Sequence, residues 1–201
     1  MPQALAGTFT LHEIRLAGRG GQGVVTAGEL LGRAAVGEGR FAQSIPTFGP
    51  ERRGALSSAV LRLSGEEILL KCSAARPDVV LVLDPTIWHH ANVFGGARPD
   101  ATLILNTPDA PADVALALES GRYGYRMSAG GFRVLTVDAT GLAMEILGRP
   151  ITNTAMMGAF AGATGLIAMA SVEDALVERF GVKGEANVRA ARVAAERLRA
   201  S

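Results

Sequence analysis

Cysteine is nearly absent: Cys72 is the single one among 201 residues. That excludes an internal disulfide, and it excludes an iron–sulfur cluster held by this chain's cysteines alone. Cys72 also has no His neighbour in sequence to activate it, which argues against a nucleophile. Charge of one sign is lacking as well. Twenty Lys and Arg face 19 Asp and Glu, leaving a net charge of +1, so no basic field argues for nucleic acid or an anionic membrane. Long apolar runs are missing: Thr154 to Ala170 is apolar, but it is rich in small residues and short for a membrane span. The N-terminal Met1-Pro-Gln-Ala-Leu-Ala-Gly7 has neither the basic flank nor the apolar core of a signal peptide, so a cytoplasmic protein is expected. No G-x-x-x-x-G-K-[ST] occurs, which removes the P-loop.

What remains is ordinary globular material, 48% hydrophobic and 19% charged. It is long enough for a proper core and is expected to form a single domain over residues 1–201. The stretch Ile14 to Gly28 organises it. Ile14, Leu16 and Ala17 read as a buried strand, Gly18-Arg19-Gly20-Gly21-Gln22-Gly23 as a glycine-rich turn in G-x-G-x-x-G spacing, and Gln22 to Val36 as a helix. Glycines in such a turn let the backbone reverse, let a phosphate approach without meeting a Cβ, and let the helix pack on the strand. The helix's free N–H groups and the positive end of its dipole favour an anion. A plain strand–helix turn with no ligand is the alternative.

Strands are expected at Phe41–Ser44, Asp78–Leu83, Ala101–Leu105 and Phe132–Val137, and a loop at Ile45–Gly54. Leu56–Leu63 alternates as a half-exposed strand, with a return strand at Ile68–Leu70 completing a hairpin. Short helices are expected near Thr86–Ala91 and Gly141–Leu147, and a long buried one over Asn153–Ala170 whose GAFAGATG run suits close packing on another backbone or subunit. Ser171-Val-Glu-Asp174 reads as a near capping box for a helix to Phe180, and Glu185–Leu198 as an amphipathic helix. The expected fold is α/β: a single Rossmann-like domain with a mostly parallel sheet, helices on both faces and an inserted β-hairpin.

A free-standing nicotinamide enzyme would place an acidic residue about 20 residues past the glycines. Here Gln43 and Ser44 occupy that region, which weakens NAD; Arg52 or Arg53 would serve a 2′-phosphate in an NADP reading. His89 and His90 are read as a solvated helix end, and Arg122, Tyr123, Tyr125 and Arg126 as a flexible polar loop. The standout polar residues are Gln22, the Glu51-Arg52-Arg53 cluster and Asn153 at the start of the long helix. Two arginines beside a glycine turn suit a multiply phosphorylated nucleotide; a salt bridge across a subunit interface suits them equally.

Gly18-Arg-Gly-Gly-Gln-Gly23, then Pro46-Thr-Phe-Gly-Pro-Glu-Arg-Arg-Gly-Ala55 and Leu61-Arg-Leu-Ser64, resembles the gamma subunit of 2-oxoacid:ferredoxin oxidoreductases. Pro77–Asp84, Ile104–Thr107 and Gly148–Gly158 follow in the same family order, so the likeness covers about residues 12–198. Phe48–Ala55 with Asn106-Thr107 looks most like the pyruvate branch (pyruvate synthase), with the 2-oxoglutarate and indolepyruvate branches as alternatives. The resemblance implies a subunit of an enzyme that oxidatively decarboxylates a 2-oxoacid, passes the acyl group to coenzyme A and reduces ferredoxin. It implies thiamine diphosphate and [4Fe-4S] clusters on alpha, beta and delta-type partners in a dimeric assembly, consistent with the missing Gly-Asp-Gly motif here. Carried onto this chain, Gly18, Gly20, Gly21, Gln22 and Gly23 would hold coenzyme A phosphates. Arg52 and Arg53 would meet the remaining phosphates or the subunit contact. Arg19, where relatives are often aromatic or apolar, is a further phosphate contact or simply exposed. No catalytic residue and no metal ligand is expected. The competing readings are a stand-alone NADP-binding oxidoreductase, disfavoured by the missing Tyr–Lys pair, and a structural subunit with an empty loop.

Overall fold

The computed structural model describes residues 10–47, 54–70, 76–127 and 131–200. In chain order these form β1 (His12–Arg19), α1 (Val24–Gly37), β2 (Phe41–Thr47), β3 (Leu56–Ser64), β4 (Val79–Val82), α2 (Ile87–His90), β5 (Thr102–Asn106) and α3 (Pro111–Ser120). They continue as β6 (Arg133–Val137), α4 (Ala139–Leu147), α5 (Asn153–Thr164), α6 (Met169–Phe180), a 3₁₀ turn, α7 (Gly184–Glu196) and β7 (Arg199–Ala200). Among the described residues the strands make one seven-stranded sheet, ordered β2-β3-β1-β4-β5-β6-β7. The central four run parallel, while β2, β3 and β7 are antiparallel to their neighbours. This is the α/β architecture expected.

Alternation along each strand builds two cores. Leu16, Leu81, Ile104 and Leu135 face α1, α4, α5, α6 and α7, whereas Ala17, Val80, Val82, Leu103 and Val134 face α2 and α3. The GAFAGATG run meets another backbone of the same chain: a Cβ on Gly158 would overlap the carbonyl of Ala191 in α7, and one on Gly162 would lie 2.9 Å from the Ala195 methyl.

Several expectations fail for physical reasons. The hairpin is β2–β3, and Ile68–Leu70 forms no strand, because β3 already has β2 on one side and β1 on the other. β3 is not half-exposed. Arg62, on its supposedly wet face, is fully buried with its Nε 2.9 Å from Glu13 and its NH1 bonded to Gln43 and the Leu70 carbonyl. β2 runs on through Pro46 because an edge strand tolerates a missing N–H. The long helix stops at Thr164, where Gly165 turns left-handed (φ 62°) and closes it. Ser171 lies inside α6, which starts at Met169 without a side-chain cap. Tyr123 and Tyr125 are packed: Tyr123 stacks on His89 at 4.4 Å, and the Tyr125 hydroxyl donates to the Trp88 carbonyl. Of the expected solvated helix end, His90 is exposed, but His89 is half-buried with its Nε2 buried, and burial and neighbouring His90 push its imidazole below its ordinary pKa.

Candidate functional site

β1 and β4 are parallel neighbours whose outgoing connections diverge. From β1 the chain crosses one face through α1 to the β2 edge; from β4 it crosses the other face through α2 to β5. The crevice at their C-terminal ends is therefore a topological switch point, where open α/β sheets bind ligands. The glycine turn forms one lip and Asp84-Pro85-Thr86 the other.

Three glycines of the turn have distinct constraints. Gly18 is a packing glycine: a Cβ would come within 2.9 Å of Gln22 Oε1 and Val24 Cγ2. Gly21 (φ 98°) needs glycine for its backbone, yet among the described residues beyond its chain neighbours no atom lies within 4 Å of where a Cβ would be, so its corner is open. Gly23 (φ 78°) is the N-cap of α1, and a Cβ there would meet Asn153 Nδ2 at 2.5 Å.

The turn is closed from within. Gln22 Oε1 accepts from the Arg19 N–H at 2.8 Å, the Gln22 N–H donates to the Arg19 carbonyl at 3.1 Å, and the Gly20 N–H donates to the Ala55 carbonyl at 2.9 Å. Among the described residues the N–H groups of Gly21, Gly23, Val24 and Val25 make no backbone hydrogen bond. These unpaired amides sit at the positive end of α1, whose first turn carries no acidic residue.

Asp84 ties the two lips together. Its Oδ2 accepts from Gln22 Nε2 at 2.6 Å and lies 3.4 Å from Arg19 Nε; its Oδ1 accepts from the Thr86 N–H, the Thr86 hydroxyl and the Ile87 N–H at 2.8–2.9 Å. Burial pushes this carboxyl up, but the Thr86 and Gln22 hydrogen bonds and the Arg19 charge outweigh it and hold the group below the usual aspartate value. Arg19 also donates to the Gly54 carbonyl and to Thr86 Oγ1, so its guanidinium is a fastener of the turn. From the far side of the crevice, α5 brings Asn153 onto Gly23, anchored by Thr152 donating to the Leu83 carbonyl at 3.3 Å. Asn106, at the end of β5, bonds the same carbonyl and Thr140.

The structure brings Asn153, which the sequence marked only as a polar residue opening a helix, against the Gly18–Gly23 turn, and adds Asp84. Its sequence signal was position alone: the first charge after a continuous apolar run, at a parallel strand's C-terminal end. Arg52, Arg53, Glu51 and Cys72 lie outside the described residues. Where a dinucleotide fold would have a second parallel strand beside β1, this sheet has antiparallel β3, and Ser44 packs on Gly28 of α1. Among the described residues no His, Cys, Asp and Glu cluster suits a metal ion, and no helix is long and apolar enough to cross a membrane.

A model of the pyruvate ferredoxin/flavodoxin oxidoreductase family matches residues 13–197. The chain belongs to this family. Within it the chain is of the gamma type. It is 43% identical to the pyruvate synthase subunit PorC of Methanocaldococcus jannaschii, over 90% of this chain and 94% of that one. Its identity to the pyruvate/ketoisovalerate oxidoreductases common subunit gamma of Pyrococcus furiosus is also 43%, over 92% and 96%. The crystal structure of pyruvate oxidoreductase subunit PORC from Thermotoga maritima superposes with a TM-score of 0.80 at 30% identity, covering 95% of this gamma chain and 98% of that one. A 2-oxoglutarate:ferredoxin oxidoreductase from Magnetococcus marinus, solved with 2-oxoglutarate, coenzyme A and succinyl-CoA bound, shares the fold at 18% identity (TM-score 0.69). The match covers 92% of the gamma chain and 31% of that longer chain.

Proposed function

We propose that this gamma chain binds coenzyme A in the β1/β4 crevice and positions it for acyl transfer in the oxidative decarboxylation of a 2-oxoacid, pyruvate above all. The observation that carries the reading is the rigid glycine turn at the switch point, with unpaired amides at Gly21, Gly23, Val24 and Val25 in front of a helix N-terminus. An anionic oxygen fits there, and Gly21 leaves room for it. The full site residues are Gly18, Arg19, Gly20, Gly21, Gln22 and Gly23, with Arg52 and Arg53 completing the phosphate contacts. The amides of Gly21, Gly23, Val24 and Val25 touch the ligand, while Arg19 and Gln22 shape the turn.

The chemistry asked of the chain is orientation. Holding the phosphates fixes where the thiol points, which turns an encounter between two molecules into a step within one assembly. Thiamine diphosphate and [4Fe-4S] clusters, on alpha, beta and delta-type partners, supply carbanion stabilisation and electron transfer to ferredoxin. The assembly is cytoplasmic and dimeric. Coenzyme A titration into the oxygen-free holoenzyme tests the reading: saturable binding that is lost on replacing Gly21 with Asp supports it, and binding indifferent to that change overturns it.

A further inference from the structure

Asn153 is a polar side chain that the turn's own hydrogen bonding does not account for. It opens α5, only 5% exposed, with its amide nitrogen directly over the left-handed N-cap Gly23. Its Oδ1 accepts from the Thr154 N–H at 2.9 Å. Only the oxygen of an amide can accept, so the NH₂ is fixed on the side facing the turn. Among the described residues that NH₂ meets no acceptor. That nitrogen is not sealed off as a buried unpartnered donor, so it is open to an acceptor from the crevice. Beside it stands Gly23, whose N–H is itself an unpaired donor. Among the described residues no acceptor serves both, whereas an incoming anionic oxygen would.

We infer that Asn153 is a ligand-contacting residue: its Nδ2 donates to the same anionic oxygen that the Gly21–Gly23 turn receives, closing the phosphate cradle from the α5 side. This rests on the coenzyme A reading above. It gives the crevice a second, independent wall. The α1 amides approach from the β1 lip, and Asn153 approaches from an element that starts 130 residues later in the chain. Thr152, bonded to the Leu83 carbonyl, keeps α5 in place, so the donor is held ready before the ligand arrives.

The test uses the assembled, oxygen-free holoenzyme carrying Asn153→Ala, Asn153→Asp or Gly21→Asp, with kcat and both KM values measured alongside melting temperature. Loss of one hydrogen bond to a charged oxygen is expected to raise the coenzyme A KM roughly tenfold in Asn153→Ala, with kcat and the 2-oxoacid KM unchanged. Asn153→Asp keeps the shape and replaces the donor by a carboxylate, so its KM is expected to rise further with little change in melting. It also answers the question if the alanine variant fails to assemble. An unchanged coenzyme A KM in both, or a fall in melting temperature with equal losses for both substrates, overturns the inference. If Gly21→Asp alone raises the coenzyme A KM, the role of Asn153 falls and the site stands; if neither position matters, the coenzyme A reading falls with it.

Discussion

Gly21 and Asp84 are opposite kinds of residue on the two lips of one crevice: a side chain at the first would meet no described atom, while the second meets five donors and charges. At Gly21 a side chain is strained by φ 98° but collides with nothing. Asn and Asp bear that strain about equally, so comparing them isolates charge. Gly21→Asp in the holoenzyme is expected to raise the coenzyme A KM at least about tenfold above Gly21→Asn, an electrostatic difference that shrinks with added salt. At Asp84 the folded carboxyl titrates below its ordinary value. Its contribution to stability is therefore complete above the unfolded value, near pH 4, and is lost as pH falls through the lower folded value. Asp84→Asn is expected to cost about 1–3 kcal/mol at pH 7 and to flatten the acid limb of a denaturation profile measured from pH 7 to pH 2. Gln22 and Asn153 were legible in the sequence, since a polar residue inside a glycine turn and one opening an apolar helix both stand out. Asp84 was not. An aspartate before Pro85 reads as the end of a strand, and its partners Gln22 and Arg19 lie more than 60 residues away.

Between elements, the tightest joint is that of α5 with α7. Gly158→Ala drives a methyl into the Ala191 carbonyl and is expected to destabilise by about 2–4 kcal/mol. Gly37→Ala, in the last turn of α1 with nothing within 4 Å, is expected to stabilise by up to about 1 kcal/mol. Paired chemical denaturation of the two variants checks both signs. The strands of the parallel centre were readable because continuous apolar runs have few other uses. Other elements were missed for local reasons. α3 carried its signals, Pro111 in the first turn and a left-handed Gly121 after the last, but its apolar periodicity is weak and Val114 and Leu118 gain meaning only against β5 and β6. β7 is two residues long and exists only because β6 offers an edge. The capping pattern at Ser171 failed because the left-handed Gly165 had already ended the preceding helix.

For the whole molecule, the antiparallel β3 beside β1 replaces half of a dinucleotide-binding fold. Strand direction cannot be read from composition, so the alternating Leu56–Leu63 run fitted either neighbour. With a crevice proposed for coenzyme A and no redox centre expected of its own residues, the gamma chain is expected to work only in company. Native purification without oxygen is expected to bring partner chains, iron and thiamine diphosphate with it. A lone homo-oligomer free of both would overturn the proposed holoenzyme. The internally bonded turn also bears on how fast and at what thermal signature the ligand is captured. Arg19, Gly20 and Gln22 already have their amides engaged, so little chain remains to be frozen when the ligand arrives. Capture should then proceed without a slow rearrangement of this turn, and the ordering entropy that a floppy loop would forfeit stays out of the binding equilibrium.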